Sequence, residues 1–171
     1  RYIKHVSEFT GKTDNIEITF MGGGEPFLRI NAIKKIVGYI EEAGIHGEYV
    51  IVTNATVGSD ADWEWIVSKG FRVTISADGP PNIQNKQRIF AKGSRSTSGY
   101  VEKRLTHLGR FDIDVNIRST VMEVSAKSVD SICDYFQEFS CVKTHHLEPV
   151  SFAGRGDAHR DVSEDEFYRQ F

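Results

Sequence analysis

Ile16-Glu-Ile-Thr-Phe-Met21 runs directly into Gly22-Gly-Gly-Glu-Pro26, and Ile30, Ile33, Ile36, Val37 and Ile40 follow at helical spacing, closed by Gly44. An apolar run of strand length, a glycine turn and an amphipathic helix make one β/α unit. The unit then recurs. Tyr49-Val-Ile-Val-Thr53 is a second strand, apolar without alternation, as expected of a strand covered on both faces. Ser59 or Asp60 caps a short helix carrying Trp63, Ile66 and Val67, which ends at Gly70. Phe71-Arg-Val-Thr-Ile-Ser76 is the third strand, and a helix with Val101, Leu105 and Leu108 stops at Gly109. Ile113 to Met122 supplies a fourth strand, Ser125 precedes a helix with Val129, Ile132, Cys133 and Phe136 on one side, and His146-Leu-Glu-Pro-Val150 is the last strand-like run. Strand–helix alternation at this spacing predicts right-handed βαβ crossovers and an α/β fold with parallel strands. No strand–strand hairpin is visible, so the sheet is expected to be open or incomplete.

Tyr2, Val6 and Phe9 fall at i, i+4 and i+7, so the chain is expected to start inside a helix. Ser163-Glu-Asp-Glu166 has the form of a capping box ahead of Phe167 and Tyr168, so another helix is expected to begin near the last residue. Both ends read as cuts through a larger domain. One connection departs from the rhythm: Ala77 to Gly99 shows no convincing period, and loops of that length are usually functional or disordered. Its Lys86, Arg88, Lys92 and Arg95 either meet anionic groups or are incidental charges of a solvated loop.

The composition narrows the function classes. The 171 residues carry 21 Lys+Arg against 24 Asp+Glu, a net charge of −3 that provides no broad field for DNA or RNA. Apolar residues make up 39 %, enough for a core at this length but without a run long enough to cross a bilayer. The first residues lack the basic-then-apolar form of a secretory signal. Two cysteines, Cys133 and Cys141, exclude a disulfide framework and suit a reducing, cytoplasmic compartment.

Parallel α/β folds place their chemistry beyond the carboxyl ends of the strands. Those positions here hold Gly22-Gly-Gly-Glu-Pro26, Thr53-Asn-Ala-Thr56, Ser76-Ala-Asp-Gly79, Arg118 and Glu148. Three glycines after a strand let the backbone approach a ligand and take positive φ. A glutamate behind them accepts hydrogen bonds, so the turn suits an ammonium group better than a phosphate. Neither a Gly-x-x-x-x-Gly-Lys phosphate loop nor a Gly-x-Gly-x-x-Gly fingerprint occurs. The plain alternative is a tight strand-to-helix turn with an exposed Glu25.

The three motifs in this order resemble the radical S-adenosylmethionine (SAM) enzymes. The resemblance is to the branch that includes anaerobic sulfatase-maturating enzymes and peptide-modifying maturases with a C-terminal SPASM extension. It runs from Ile16 to about Gly156. It implies a partial (β/α)6 TIM-like barrel, of which residues 1–171 are a core fragment holding approximately the second to sixth β/α units, with the first strand and the C-terminal region missing. It also implies site residues. Gly23, Gly24 and Glu25 match the Gly-Gly-Glu that holds the methionine ammonium of SAM. Asn54 matches the Asn of a Thr-Asn-Gly motif, with Ala55 in place of the glycine. Ser76 and Asp78 match Ser-x-Asp-Gly-Pro, whose hydroxyl faces the SAM ribose or carboxylate. Arg88 and Arg118 are both candidates for pairing with that carboxylate, and Leu147-Glu-Pro-Val150 lies where relatives line the adenine pocket. Where relatives often carry His-Asp, this chain has Gln84-Asn85.

The family's Cys-x-x-x-Cys-x-x-Cys, which binds a 4Fe-4S cluster, is absent. Two cysteines are too few for the cluster. Cys133 shares an apolar helix face and reads as packing, whereas Cys141 follows the helix end, a place where a thiol can be exposed, with nothing nearby that marks it as reactive. His145 and His146, adjacent on a strand, face opposite sides and make a poor metal pair. No nucleophile elbow or opposed carboxylate pair is evident, and Trp63 and Trp65 read as one packed and one surface aromatic. In the intact family an electron from the cluster cleaves SAM to methionine and a 5′-deoxyadenosyl radical, which abstracts hydrogen from a peptide or protein. An electron donor such as a flavodoxin or ferredoxin is implied, with neither nucleic acid nor membrane as partner. Two other readings are a non-catalytic SAM- or peptide-binding module and a conventional α/β enzyme acting on a phosphate ester.

Overall fold

A computed structural model of the chain describes residues 15–90 and 96–150. The helices expected around Tyr2–Phe9 and after Ser163 lie outside these residues, as do Lys92 and Arg95. The elements in order are β1 (Asn15–Phe20), a 3₁₀ turn (Pro26–Arg29), α1 (Ile30–Glu42), β2 (His46–Thr53), α2 (Asp60–Ser68) and β3 (Arg72–Ser76). They continue with α3 (Pro81–Gln87), α4 (Ser98–Leu108), β4 (Val115–Val121), α5 (Glu123–Ala126), α6 (Val129–Gln137) and β5 (Val142–Pro149). The strands form one sheet in the order β1-β2-β3-β4-β5, the α/β fold expected from the alternation. β1 runs parallel to β2, from Ile16 opposite Gly47 to Phe20 opposite Ile51, and β4 runs parallel to β5, from Asn116 opposite Thr144 to Val121 opposite Pro149.

The chain divides into two units, the second taking Asn54–Thr56 and everything from Thr74 onward. In the first, α1 packs on β2, and Val37, Ile40, Ile51, Trp63 and Ile66 are fully buried. Lys34 donates to Asp62 at 2.7 Å and lies 5.5 Å over the ring of the half-buried Trp65. Ser59 caps α2 reciprocally, its Oγ accepting from the Asp62 N–H at 3.2 Å while Asp62 Oδ2 accepts from the Ser59 N–H at 3.2 Å. In the second unit α6 packs on β5, and Ile75, Leu108, Val115, Ile117 and Val121 are fully buried.

Four expectations change. The stretch 77–99 contains α3, which starts at Pro81 behind Pro80 and buries Ile83 and Gln84. Seven residues barely show a period, and one of the two inward side chains is polar, so apolar spacing could not find this helix. Ser125 lies inside the extra turn α5, where its Oγ accepts from the Met122 N–H at 3.0 Å, and α6 starts only at Val129. β5 begins at Val142, four residues before the expected His146, because its early side chains are polar and exposed. Tyr49–Thr53 alternates buried with half-buried positions instead of being covered on both faces. β4 does the same: Val115, Ile117, Ser119 and Val121 are buried, whereas Arg118 is exposed and Asn116 and Thr120 are half-buried.

Candidate functional site

In the first unit, β1 ends in three consecutive glycines with φ of 77°, 63° and 136° at Gly22, Gly23 and Gly24. An L-residue in that left-handed region costs about 1–2 kcal/mol. A Cβ added at any of the three meets no atom within 4 Å, so conformation and not crowding asks for glycine there. The turn leaves its main chain facing open space. Glu25 then returns to extended backbone and caps the 3₁₀ turn, its carbonyl accepting from the Leu28 N–H at 3.1 Å. Its half-buried carboxylate accepts the hydroxyl of Thr53, the buried last residue of β2.

The segment behind Glu25 is anchored. Phe27 stacks on Trp63 with centroids 4.2 Å apart, both rings buried, and Trp63 Nε1 donates to the Val57 carbonyl at 3.2 Å. A Cβ on Gly58 would sit 2.6 Å from Phe27 and 2.7 Å from Trp63, so this position admits only hydrogen.

In the second unit, Asn54 Oδ1 accepts from the Thr56 N–H at 2.9 Å and the Thr56 hydroxyl at 2.7 Å, closing an Asx turn. Ala55 inside it takes φ 58°, the left-handed conformation that explains why the resembled motif has glycine there. Ser76 ends β3. Asp78 is 1 % exposed, and its carboxylate accepts Arg88 Nε at 2.8 Å, Arg88 Nη2 at 2.9 Å and the Thr120 N–H at 3.0 Å. The structure thus brings Asp78 and Arg88 together as a fork. Arg118 goes elsewhere: Nε and Nη2 both donate to Glu148 Oε2, at 2.9 and 2.6 Å, while His146 bonds Glu148 Oε1 at 2.9 Å. The Arg118 bonds hold the Glu148 carboxyl below its ordinary range.

Gln84-Asn85, the departure from the resembled pattern, ties the following segment down. Gln84 Oε1 accepts the Asp78 N–H at 2.7 Å and its Nε2 donates to Thr97 at 3.2 Å. Asn85 Oδ1 accepts the N–H groups of Thr97 and Ser98, both at 3.0 Å, and so caps α4 from outside. A cavity of about 300 Å³ in this unit has Asn54, Thr56, Arg88 and Phe90 in its wall.

His145 and His146 do face different partners. The Ser119 hydroxyl donates to the Ala77 carbonyl, so its bond to His145 Nε2 at 2.8 Å takes the proton from the ring. Ser119 is therefore no activated nucleophile. Burial pushes the His145 pKa down, and its ring stands edge-on to Phe136 at 5.1 Å. Cys141 is 3 % exposed with Sγ 3.4 Å from the Leu105 carbonyl, so the thiol whose exposure the sequence left open is buried, against α4, which is remote in sequence. Cys133 packs against Val121, Ala126 and Val129. Burial raises both thiol pKa values, the opposite of what cluster ligands need, and two thiols do not fit a 4Fe-4S cluster.

Of the groups now in view, Thr53, Gln84 and Asn85 had no role assigned from the sequence. For Thr53 the signal was its place at the strand end beside Asn54.

The fold is shared with solved structures of an anaerobic sulfatase-maturating enzyme. A solved structure described as native anSMEcpe with bound AdoMet superimposes with TM-score 0.79 at 21 % identity, over 98 % of this chain and 48 % of that one. The same protein with AdoMet and Cp18Cys peptide gives TM-score 0.72 at 21 % identity, over 90 % of this chain and 45 % of that one. In sequence, the chain is 24 % identical over 134 residues to a cysteine-type anaerobic sulfatase-maturating enzyme of Clostridium novyi (strain NT), covering 76 % of this chain and 35 % of that enzyme. It is 30 % identical over 139 residues to an uncharacterised protein of Methanocaldococcus jannaschii, covering 80 % and 48 %. These relatives bear out the resemblance carried by the three motifs, although the chain spans less than half of their length. No family model matches. Among the described residues no helix is long and apolar enough to cross a membrane.

Proposed function

We propose that this chain is the SAM-binding core of a radical SAM enzyme acting on a peptide or protein, residues 1–171 being one part of that enzyme. The observation that carries the reading is Glu25, held by Thr53 at the end of three left-handed glycines. This is an acceptor fixed beside open main chain, the arrangement an α-ammonium group requires. When bound, SAM supplies the hydrogen-abstracting group on reductive cleavage of its sulfonium bond.

The protein's own part is positioning and charge. Glu25 accepts the ammonium, and Thr53 keeps the carboxylate turned while Gly23 and Gly24 let the main chain come close. Asn54 and Ser76 serve the polar middle of the molecule, and Arg88 or Arg118 the carboxylate. Asp78, whose lone pairs are taken by Arg88 and Thr120, acts as a positioning residue for Arg88. The cluster ligands are assigned to other parts of the protein, and reduction to a partner such as a flavodoxin or ferredoxin. Support for a polypeptide substrate comes from the peptide complex of the structural neighbour and from the sulfatase-maturating relative.

Calorimetric titration with SAM tests this. Glu25→Gln keeps the shape and removes the charge, so affinity should fall by about 1–3 kcal/mol. Unchanged affinity would remove the central assignment.

A further inference from the structure

On β4 and β5 the two faces of the sheet differ. Val115, Ile117, Ser119 and Val121 are buried on one. The other holds Asn116, Arg118 and Thr120 with their register partners Thr144, His146 and Glu148, all six polar and none buried. Strands of a parallel sheet are ordinarily covered on both faces, so a wholly polar open face is one that a polar ligand meets.

Three of the six are joined. Arg118 spends Nε and Nη2 on Glu148 Oε2, and Glu148 Oε1 bonds His146 Nε2 at 2.9 Å. Because Arg118 favours the ionised Glu148 carboxyl, that group only accepts, so in the neutral ring the proton sits on Nε2 and Nδ1 carries the lone pair. The His146 side chain is 61 % exposed, and Nδ1 has no partner among the described residues. An imidazole lone pair turned outward by a carboxylate, itself held by a third group, is the arrangement of a general base. Glu148 on its own strand and Arg118 on β4 are the charged groups that face the ring; His145 bonds Ser119 on the opposite face.

The ring also stands in line with a residue assigned to the cofactor. The Ala77 N–H donates to the Arg118 carbonyl at 3.1 Å and Asn116 Nδ2 donates to Thr74 at 3.4 Å, which sets Ser76 beside Arg118 as Arg118 is beside His146. Ser76, Arg118 and His146 thus form a row across three strands, and at about 4.8 Å per strand His146 lies roughly 10 Å from Ser76. One side chain of a polypeptide fits in that interval.

We infer that His146 is the proton acceptor for the polypeptide substrate: Nδ1 takes the proton of a side-chain thiol or hydroxyl, the electron pair of that bond stays on sulfur or oxygen, and the imidazolium so formed is neutralised by Glu148. A thiol is the easier donor, only about two pKa units above imidazole. Glu148 is a positioning residue and Arg118 holds it, which leaves Arg88 as the partner of the SAM carboxylate. The inference rests on the SAM and polypeptide-substrate reading above.

The test uses the whole enzyme of which residues 1–171 are a part, loaded anaerobically and given SAM with two pools of N-acetylated, C-amidated hexapeptides, one with Cys and one with Ser at the centre. Mass spectrometry reads the peptide consumed per 5′-deoxyadenosine released. That ratio should fall about 100-fold in His146→Gln, and added imidazole should restore it in part to His146→Gly. An unchanged ratio overturns the inference, as does failure of imidazole to rescue, or consumption of neither pool by an enzyme that cleaves SAM. Nitrogen-15 NMR reads the ring independently of turnover: His146 should carry its proton on Nε2 in the native protein and lose that preference in Glu148→Gln. A proton on Nδ1 in the native protein, or no change in Glu148→Gln, overturns the inference. Failure of the native enzyme to bind or cleave SAM overturns the cofactor reading instead, and the NMR result still decides the base.

Discussion

At Asp78 the chain spends a buried carboxylate on holding an arginine. With 1 % of its side chain exposed, Asp78 offers an incoming ligand little, and its three bonds all come from within the second unit. Asp78→Asn removes the charge and turns an amide N–H toward the guanidinium. Stability to urea should fall by about 2–4 kcal/mol, less than for a wholly buried pair because Arg88 is partly solvated. His145 makes a prediction about pH. Burial lowers its pKa below the unfolded value, so the neutral ring is the one the fold favours. That contribution is complete above the ordinary value of 6.5 and is lost as pH falls below it, toward the folded pKa. Urea midpoints should therefore decline between about pH 7 and 5, and His145→Gln should flatten that slope. Glu148 acts in a lower window. Its depressed pKa gives stability that is present above 4.5 and lost on further acidification.

At the scale of elements, the segment joining β3 to α4 is built on side-chain amides. α4 has no capping bond from its own N-cap, Thr97; the acceptor comes from Asn85 on α3, twelve and thirteen residues back in sequence from the N–H groups of Thr97 and Ser98. Asn85→Ala should cost about 1–2 kcal/mol, as loss of a cap does, and Asn85→Asp should retain most of it because the oxygen remains near a helix N-terminus. Denaturation of the two variants separates these outcomes. α2 shows the contrasting case, in which Ser59 and Asp62 cap within one turn and the sequence announced the cap.

For the molecule as a whole, binding SAM to the folded state alone should stabilise it by mass action. At a free concentration one hundred times Kd the gain is about 2.7 kcal/mol, read as a rise in melting temperature that grows with the logarithm of SAM. A melting temperature indifferent to SAM at saturating concentrations would contradict the proposal that the chain binds SAM. Glu25→Gln should reach the same rise only at higher SAM.

Much of this architecture was legible before any coordinates. Strand and helix order followed from Ile16–Met21, Ile30–Ile40 and their repeats because apolar periodicity is a local property that each segment carries within itself. The positions after β1, β2 and β3 followed from the same source, whereas Arg118 and Glu148 did not: Arg118 is the middle residue of β4 and Glu148 lies inside β5, because strands with polar, exposed side chains run further than their apolar pattern shows. The glycine at Ala55's position in the resembled motif was likewise readable, and φ 58° gives it a reason. Short polar elements were not legible: α3 and the start of β5 bury or display polar side chains, so no apolar pattern marks them. Nor was the pairing of the polar groups. Thr53 with Glu25 is a bond across 28 residues, Asp78 with the Thr120 N–H one across 42, and Cys141 is buried by Leu105 from 36 away. Such partners are chosen by where side chains meet after the strands have paired and the helices have packed. Sequence alone therefore determined which residues stand at the ends of β1, β2 and β3, and tertiary structure decided which polar groups are committed to one another, because a hydrogen bond depends on distance and direction in space and leaves no period along the chain.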